Sequence, residues 1–482
     1  MKVQRAVVVA MLLACCSFAV AQTTSSRDAA MVPVLMLSDL HFDPLHDPAK
    51  ASRLAAANID QWDAIFNEAP SEHQAEEFAA VQSACKARGV DTDFALLNAS
   101  LIGAQRQANG LGYVTVTGDL LVHGFDCRYR FAMHSDEGYA AFAEKTAIYV
   151  MHRVEAAFPA VPVYIALGNN DSSCGDYKMG EHDRFLHATS GAIVAGLRGA
   201  SEAEVKQARE DYEANGYFGV TLKTPHRTRL LAIDDIYLST KYAECSGDKD
   251  SAAADAALAW LDRELTAAKE RGEKVWVIGH IPPGVDVYST VMSKAGKLGK
   301  DVCGGADVKM FLANDRLADT LVKHADVVRL ALFAHTHSDE LRLLKAEDGA
   351  GGGVPLKMVA SISPVNGNRP TFTLAQVDAL SAGLKDYTVY KASNATGVDT
   401  TWSREYSFDE TYHVAEFSTA TLAELIDQFH ADPDSEKPAS RAYEVNFTPG
   451  MFPVLALAWP QYACALEHAT AAGYKACTCG TK

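Results

Sequence analysis

Seven residues of the chain are of the types that bind divalent metal ions, and each comes just after a short apolar run. They comprise carboxylates, imidazoles and one amide: Asp39, His41, Asp119, Asn169, His280, His335 and His337. Imidazole nitrogens combined with carboxylate and amide oxygens suit zinc, manganese or iron. Seven such ligands could hold two ions, with Asp119 as the shared bridge. The chemistry predicted by this set is a reaction assisted by a pair of metal ions.

Each motif taken alone also has an ordinary structural explanation. Asp39-Leu40-His41 after a strand can occur by chance, Gly118-Asp119 is more often a turn, and a lone His280 is more often structural. The two histidines at 335 and 337 could be strand residues on one face, satisfied by the backbone. The combination favours a metal site, because all of these motifs appear and each directly follows an apolar run.

Five short apolar runs precede these motifs and predict buried strands at 32–37, 113–117, 161–167, 275–278 and 330–333. Amphipathic stretches between them predict helices at 75–87, 139–157, 253–271 and 308–324. Strands that alternate with helices favour an α/β fold, in which ligand sites lie beyond the carboxyl ends of the strands. Such a fold would bring the seven residues to one edge.

The pattern changes after His337. Three apolar runs at 356–362, 371–377 and 387–391 predict strands without long helices between them, which suits a second sheet packed on the first. From about Ser393 the chain is polar, and helical patterns return around 421–429 and 461–472. We therefore expect a catalytic domain over 22–392 and a small C-terminal helical subdomain over 393–482.

The N-terminus has the features of a signal peptide over residues 1–21. Lys2 and Arg5 give a basic start, residues 6–14 are apolar, and Ala19-Val20-Ala21 is a small-residue cleavage site. The apolar run is too short to span a membrane, and no other segment is long and apolar enough. We expect a secreted or periplasmic protein. Anchoring through a lipoprotein box at Cys15 is an alternative, which Leu13 fits poorly.

Composition and cysteine content narrow the class of protein. The 482 residues are 48% hydrophobic and 22% charged, as in a globular protein, and the net charge of −17 argues against a nucleic-acid partner. An anionic substrate would then need local positive charge, which metal ions can supply. Cleavage of the leader would leave Cys85, Cys127, Cys174, Cys245, Cys303, Cys464, Cys477 and Cys479. An even count in an exported chain predicts disulfides, with the pairing open.

Over roughly residues 32–363 the motifs are similar to those of the calcineurin-like metallophosphoesterase superfamily. The resemblance rests on Asp39-Leu40-His41, Gly118-Asp119, Gly168-Asn169-Asn170-Asp171, Gly279-His280 and Ala334-His335-Thr336-His337. It implies a two-sheet sandwich flanked by helices. It also implies one ion bound by Asp39, His41, Asp119 and His337, and a second bound by Asp119, Asn169, His280 and His335.

Within the superfamily the chain most resembles acid sphingomyelinases and their sphingomyelinase-like relatives. Shared patterns are Gly-Asp-x-x-x-His at 118–123, Gly-His-Ile-Pro-Pro-Gly at 279–284 and a late loop at 361–372. Sphingomyelinases proper carry a saposin domain, which we expect to be absent because few residues separate Ala21 from the first strand. The family's Gly-Asn-His is Gly-Asn-Asn here, so Asn170 stands where a histidine would. Endopolyphosphatases, which are similar enzymes, share this variant.

The resemblance implies in-line attack on phosphorus by a hydroxide bridging two ions, with zinc as first choice and manganese or iron as alternatives. His123 and Asn170 are the predicted catalytic and substrate-binding residues. An amide donates a hydrogen bond but no proton, so His123 is the candidate acid.

Three functions stay open. The first is a sphingomyelinase-like phosphodiesterase acting on a soluble diester, a nucleotide or a lipid headgroup. The second is a polyphosphate or nucleotide phosphoanhydride hydrolase, which Asn170 favours. The third is an exported binding protein on an inactive scaffold, against which the complete ligand set argues. The oligomeric state cannot be predicted from the sequence.

Overall fold

The computed structural model describes residues 31–180, 182–249, 252–292, 298–299, 301–347, 349, 351–448 and 454–480. The predicted signal peptide at 1–21 and the alternative lipid-anchor site at Cys15 lie outside these residues. Among the described helices, none combines the length and the apolar character needed to cross a bilayer.

The strands of the described chain form two six-stranded mixed sheets. The strands are β1 (Met31–Leu37), β2 (Tyr113–Thr117), β3 (Val163–Ala166), β4 (Phe218–Leu222), β5 (Thr228–Ala232), β6 (Lys274–Ile278), β7 (Val328–Phe333), β8 (Glu340–Leu344), β9 (Val354–Met358), β10 (Thr371–Asp378), β11 (Leu384–Ala392) and β12 (Trp402–Ser407). The first sheet has the order β12-β11-β10-β1-β2-β3 and the second the order β4-β5-β6-β7-β9-β8.

Each sheet has a parallel centre that is extended by antiparallel strands. β1, β2 and β3 run parallel in the first sheet, and β10 pairs antiparallel with β1. In the second sheet β5, β6, β7 and β9 run parallel, with β4 and β8 antiparallel at the edges. Parallel strands need cover on both faces, and every residue of β2 is buried. The predicted two-sheet α/β architecture is confirmed, but β10 and β11, which were expected in a second sheet, extend the first one.

The sheets pack face to face around one hydrophobic core. Tyr113 of β2 meets Trp276 of β6 edge to face, with ring centroids 5.8 Å apart. Both side chains are almost fully buried, and the indole N–H of Trp276 donates to the carbonyl of Ala382 at 2.8 Å. Large aromatic side chains bury much apolar area, provided that their polar atoms find partners. These contacts fix the position of one sheet on the other.

Helices flank both sheets. They are α1 (Ala51–Ala56), α2 (Trp62–Phe66), α3 (Gln74–Ala84), α4 (Phe94–Gln107), α5 (Phe125–Met133), α6 (Tyr139–Ala157), α7 (Arg184–Ala195), α8 (Glu202–Asn215), α9 (Ala252–Arg271), α10 (Val287–Val291), α11 (Arg316–Lys323), α12 (Phe408–Tyr412), α13 (Thr419–His430), α14 (Pro438–Phe447), α15 (Val454–Leu457), α16 (Trp459–Ala465) and α17 (Ala471–Gly480). In α9, Ala257, Leu261 and Leu265 recur at a spacing of four and are buried, which is the pattern of a helix with one face on the core.

Two predicted helices differ from the structure. The stretch 308–324 is helical only over Arg316–Lys323, because Met310 and Leu312 form bridges with Val285 and Ser239 in extended backbone. The stretch 461–472 is divided between α16 and α17. Leu343 of β8 donates its backbone N–H to the carbonyl of Leu466 at 2.7 Å, which fixes the chain between these helices.

The C-terminal part combines one strand with helices. β12 pairs with β11 at the edge of the first sheet, so residues beyond the predicted boundary at 392 continue that sheet. α13 packs on β8 and β9, and the predicted C-terminal helices are present. The division into two domains at this boundary stays a prediction.

All eight cysteines of the described chain form disulfides, as predicted, and the structure gives the pairing that the sequence left open. The disulfides are Cys85–Cys127, Cys174–Cys245, Cys303–Cys479 and Cys464–Cys477. The last two join α17 to the loop around residue 303 and to α16.

Candidate metal centre

The predicted ligands lie on turns that leave the strands at one edge of the structure. Five of them have a backbone φ in the left-handed region: Asp39 at 46°, His41 at 41°, Asp119 at 54°, His335 at 71° and His337 at 61°. This conformation costs roughly 1–3 kcal/mol for a residue with a side chain, and it persists where the surrounding structure enforces it. A cluster of such residues marks this edge as a functional site.

Two glycines allow the turns after β2 and β3 to approach each other. A Cβ on Gly118 would lie 2.7 Å from the backbone nitrogen of Gly168, and a Cβ on Gly168 would lie 2.2 Å from Asp119 Oδ1. Gly118 also has a φ of 89°. The glycines of the two motifs are therefore needed for close packing around Asp119.

The first group of ligand atoms comes from both sheets. His41 Nε2 lies 3.3 Å from Asp119 Oδ2 and 3.1 Å from His337 Nε2. His337 Nε2 in turn lies 3.4 Å from Asp39 Oδ1. All four side chains are buried. The turns after β1, β2 and β7 thus meet at one point.

The second group shares Asp119 with the first. His280 Nε2 lies 3.2 Å from Asp119 Oδ2 and 3.2 Å from Asn169 Oδ1. One ligand atom each of Asp119, His280 and His335 lie within 4.8 Å of one another. The structure therefore brings all seven sequence-predicted residues together, with Asp119 between the two groups.

Backbone carbonyls orient two of the imidazoles. His41 Nδ1 lies 2.9 Å from the carbonyl oxygen of Leu121, and His280 Nδ1 lies 2.7 Å from that of Thr117. A ring nitrogen at this distance donates its N–H to the carbonyl, so Nε2 presents a lone pair to the centre. Histidines that ligate metals in proteins are held in this way.

Two buried carboxylate oxygens lack partners that a cation would provide. Within the described residues, neither oxygen of Asp39 makes a hydrogen bond. A buried unpaired carboxylate is strongly unfavourable. In addition, the Nε2 atoms of His41 and His337 face each other at 3.1 Å, where one cation could accept both lone pairs. The residues fit cation sites on both counts.

The pKa values reflect the concentration of carboxylates. Burial is the largest single effect and lowers the pKa of His41 and of His280, but the neighbouring carboxylates, Asp119 foremost, together outweigh it and raise these pKa values to about 9 and about 10. For His335 and His337 burial dominates and lowers the pKa to about 3. Two imidazoles are therefore neutral, with lone pairs available. The same carboxylates favour positive charge at Nε2 of His41 and of His280, which a bound cation would supply in place of a proton.

Two buried carboxylates to which the sequence assigned no role stabilise the ligand turns. Asp171 accepts the backbone N–H groups of Gly168 at 2.9 Å and Leu121 at 3.1 Å. Asp235 accepts that of His280 at 2.7 Å. Burial raises the pKa of each carboxyl to about 7. The apolar run at 230–233 leads directly into Asp234-Asp235, a signal that the sequence analysis did not use.

The two asparagines after β3 act on different neighbours. Asn169 Nδ2 donates to Asp176 at 2.7 Å, which turns its Oδ1 towards His280. Asn170 donates to Asp119 from both its backbone nitrogen and its Nδ2, each at 2.9 Å. Asn170 thus orients the shared carboxylate. Its predicted catalytic and substrate-binding role stays a prediction.

His123 lies at the mouth of the site, with its side chain 33% exposed. Its ring stacks on that of His41, with centroids 3.8 Å apart. Its Nδ1 lies 3.1 Å from Asp91 Oδ1, which also accepts the hydroxyl of Ser363 at 2.7 Å. Nε2 is left for the centre, so His123 could meet a substrate or add an imidazole ligand beside His337. The sequence analysis missed Asp91.

The chain matches the family described as calcineurin-like phosphoesterase over residues 32–339. Acid sphingomyelinase-like phosphodiesterase 3b from Homo sapiens is 22% identical over 403 residues, which cover 79% of this chain and 77% of the relative. Cyclic GMP-AMP phosphodiesterase from Bos taurus is 23% identical over 288 residues, or 57% of this chain and 58% of the relative. Endopolyphosphatase from Schizosaccharomyces pombe is 28% identical over 178 residues, which cover 36% of this chain and 28% of the relative.

The matched region covers well over half of the chain and extends from β1 past β7, so it contains both ligand groups. The family is metal-dependent and has a dinuclear metal centre, in agreement with the shared position of Asp119 between the groups. The chain therefore belongs to the calcineurin-like phosphoesterase family.

Proposed function

We propose that this phosphoesterase is an exported phosphodiesterase that cleaves small-molecule or lipid-headgroup phosphodiesters with two divalent ions. The observation that carries the proposal is the pair of buried carboxylate and imidazole groups around Asp119, with both oxygens of Asp39 unpaired. When bound, the ions would neutralise phosphoryl oxygens and activate water for attack on phosphorus.

The proposed ligand sets follow the two groups of side chains. One ion is held by Asp39, His41, Asp119 and His337, and the other by Asp119, Asn169, His280 and His335. Zinc is our first choice because each set combines two imidazole nitrogens with two oxygen ligands, and manganese or iron also accept such ligands.

Three further side chains would assist the reaction. His123, with Asp91 behind its Nδ1, is suited to meet the leaving oxygen from the mouth of the site. Asn170 keeps both oxygens of Asp119 in place. The amide has no proton to deliver, so His123 is the group assigned to proton transfer.

Export is supported by the four disulfides, since such bonds persist in oxidising compartments. The relatives named phosphodiesterases support diester hydrolysis, although their identity to this chain is low.

A substrate panel tests the proposal. Purified protein is stripped with a chelator, reloaded with zinc, manganese or cobalt, and assayed on an aryl phosphodiester, sphingomyelin in micelles, ATP and polyphosphate. We expect diester turnover that disappears with the chelator and returns with metal. Protein that binds two ions yet turns over no substrate would instead be the inactive binding scaffold.

A phosphoanhydride hydrolase is the second candidate. A phosphate leaving group needs no proton donor, so Asn170 in place of a histidine would be no handicap for such substrates. The similarity to an endopolyphosphatase also favours phosphoanhydride hydrolysis. Faster turnover of ATP or polyphosphate than of any diester in the same panel would favour this function.

A further inference from the structure

A lysine and a tyrosine lie beside the second ligand group, outside the residues assigned to metal. Tyr177 Oη lies 3.2 Å from His335 Nε2, and Lys241 Nζ donates to Tyr177 Oη at 3.1 Å. The ammonium also lies over the tyrosine ring, 4.6 Å from its centroid. Tyr177 is buried while Lys241 is exposed. The solvent-accessible ammonium of Lys241 is thus connected to the predicted ligand His335 through one residue, Tyr177.

The ammonium of Lys241 is close enough to Asp176 for an electrostatic interaction, but the two form no ion pair. Within the part of the chain that the structure describes, the ammonium contacts Tyr177 and forms no ion pair with a carboxylate. This is unexpected in a protein with 61 acidic and 44 basic residues, where most cations can find an acid. An unpaired cation at the rim of an anion-processing site is available to a substrate.

The tyrosine connects the lysine to the metal centre. Its oxygen accepts a hydrogen bond from Lys241, because an ammonium has donors only. When His335 carries its ring proton on Nε2, the same oxygen accepts a second bond. The O–H of Tyr177 is then free to donate to a ligand.

The pair is held in place by covalent and backbone contacts. The Cys174–Cys245 disulfide joins the loop of Tyr177 to the loop of Lys241. Ala243 donates its backbone N–H to the carbonyl of Tyr177 at 3.1 Å, and Tyr177 donates its own to the carbonyl of Asn169 at 2.8 Å. Tyr177 has a φ of 57°, a conformation that tends to cluster at functional sites. The two loops therefore present the lysine and tyrosine as one unit attached to the ligand turn.

We propose that Lys241 and Tyr177 form a binding site for a second phosphate, adjacent to the phosphorus that reacts. The inference rests on the proposed phosphoesterase function and narrows its substrate to molecules with a diphosphate or a longer phosphate chain. Neighbouring phosphorus atoms in such molecules are separated by one oxygen, which suits a cation next to the centre. A lysine binds phosphate as a point charge. The same charge would repel a quaternary ammonium headgroup.

Binding of analogues that cannot be hydrolysed tests the site without relying on turnover. The metal-loaded protein is titrated calorimetrically with α,β-methylene-ADP and with an adenosine phosphonate that carries a single phosphorus. We expect Lys241→Met to weaken binding of the first ligand by roughly tenfold to a hundredfold, the usual range for a hydrogen bond to a charged group. Binding of the second should change by less than about threefold.

Matched variants separate the local effect from general ones. Lys269→Met makes the same charge change on α9, near the start of β6 and so at the edge opposite the ligand turns, where Lys269 pairs with Asp326 at 3.0 Å. It should leave both affinities unchanged. Lys241→Arg should retain most of the affinity, and Tyr177→Phe, which removes only the hydroxyl, should show a smaller loss for α,β-methylene-ADP. Metal content and melting temperature should match the native protein in each variant.

The outcomes distinguish this inference from the proposed function. If Lys241→Met weakens both ligands equally, or neither, the second-phosphate site is wrong even when diesters are hydrolysed normally. If no phosphoester is turned over but Lys241→Met still weakens only α,β-methylene-ADP, the second-phosphate site is supported and the proposed catalytic function is wrong. In active protein, the ratio of ATP turnover to aryl diester turnover should be lower in Lys241→Met than in the native protein. In Lys269→Met this ratio should equal the native value.

Discussion

Asp119 is the residue whose loss should affect the metal centre most, because it belongs to both ligand groups. Its Oδ2 lies 3.3 Å from His41 Nε2 in the first group and 3.2 Å from His280 Nε2 in the second. Asp119→Ala should leave the fold intact, since the side chain lies after β2 and contributes no apolar contact. We expect bound metal to fall and turnover to drop to background. Elemental analysis of the purified variant and an aryl diester assay measure both. Near-normal activity would show that Asp119 does not bridge.

His123 should matter according to the leaving group. His123→Ala is expected to slow alkyl phosphodiesters by ~10²–10⁴-fold, the usual contribution of a positioned acid, and to slow phosphoanhydrides much less. Asp91→Asn should give a weaker version of the same pattern, since the ring loses its carboxylate partner. Kinetics on paired alkyl and anhydride substrates decide this. Equal slowing of both would assign His123 to phosphate binding, to metal binding or to structure.

Residues that follow strands could be predicted from the sequence, whereas residues recruited by tertiary contacts could not. The apolar run before each metal ligand is visible in the sequence. Asp91 reaches His123 across 32 residues, Lys241 reaches Tyr177 across 64 and Tyr177 reaches His335 across 158. Nothing local to those positions sets them apart from ordinary polar loop residues.

At the scale of elements, the turn after β3 depends on Gly168. Gly168→Ala would place a methyl group 2.2 Å from Asp119 Oδ1, so we expect the carboxylate to move and metal affinity to fall. Gly191 in α7 is the matched control, because a Cβ there meets no atom within 4 Å. Gly191→Ala should stabilise the protein by about 0.5–1 kcal/mol. Metal titration and urea unfolding of both variants test this. Unchanged metal affinity in Gly168→Ala would refute the packing argument.

The edge strand β12 carries a group that makes stability depend on pH. Burial raises the pKa of Glu405 to about 7 although Lys391 opposes the shift. Its Oε2 has no hydrogen bond among the described atoms. An unfolded glutamate titrates near about 4.3, so the stability associated with its neutral form is present below that pH and is lost as the pH rises through about 7.

Glu405→Gln should remove this dependence. Relative to the native protein, the free energy of unfolding of the variant should increase when the pH is raised from 5 to 8. Urea denaturation at both pH values measures the difference. A difference that stays constant, or that declines, would mean that Glu405 is ionised at low pH in the folded protein.

The central strands were predictable and some edge strands were not. β2 and β6 consist mainly of β-branched and aromatic residues, which are typical of buried strands. β8 is buried along its whole length but contains Glu340 and Arg342, which pair with each other at 2.9 Å. These charged side chains interrupt the hydrophobic pattern of the strand, although they are buried as an ion pair. The place of β8 in the second sheet is therefore visible only in the structure.

For the whole molecule, the disulfides should control how firmly the C-terminal helices are attached. Thiol titration of denatured, unreduced protein should find few reactive cysteines, and six or more would contradict both the pairing and the expectation of export. The paired serine variant of Cys303 and Cys479 should lower the free energy of unfolding by about 2–5 kcal/mol, as is typical for a native disulfide. Its centre should still bind metal, because both cysteines lie outside the ligand turns.

His41 and His337 touch although 296 residues separate them along the chain. One belongs to the first sheet and the other to the second, so the centre exists only after both sheets have formed and docked. Metal affinity is consequently a readout of how completely the polypeptide has folded, and bound metal adds to the stability of the docked state by mass action. Substitutions that loosen the contact between Tyr113 and Trp276, which are not ligands themselves, should appear first as weaker metal retention and only later as unfolding.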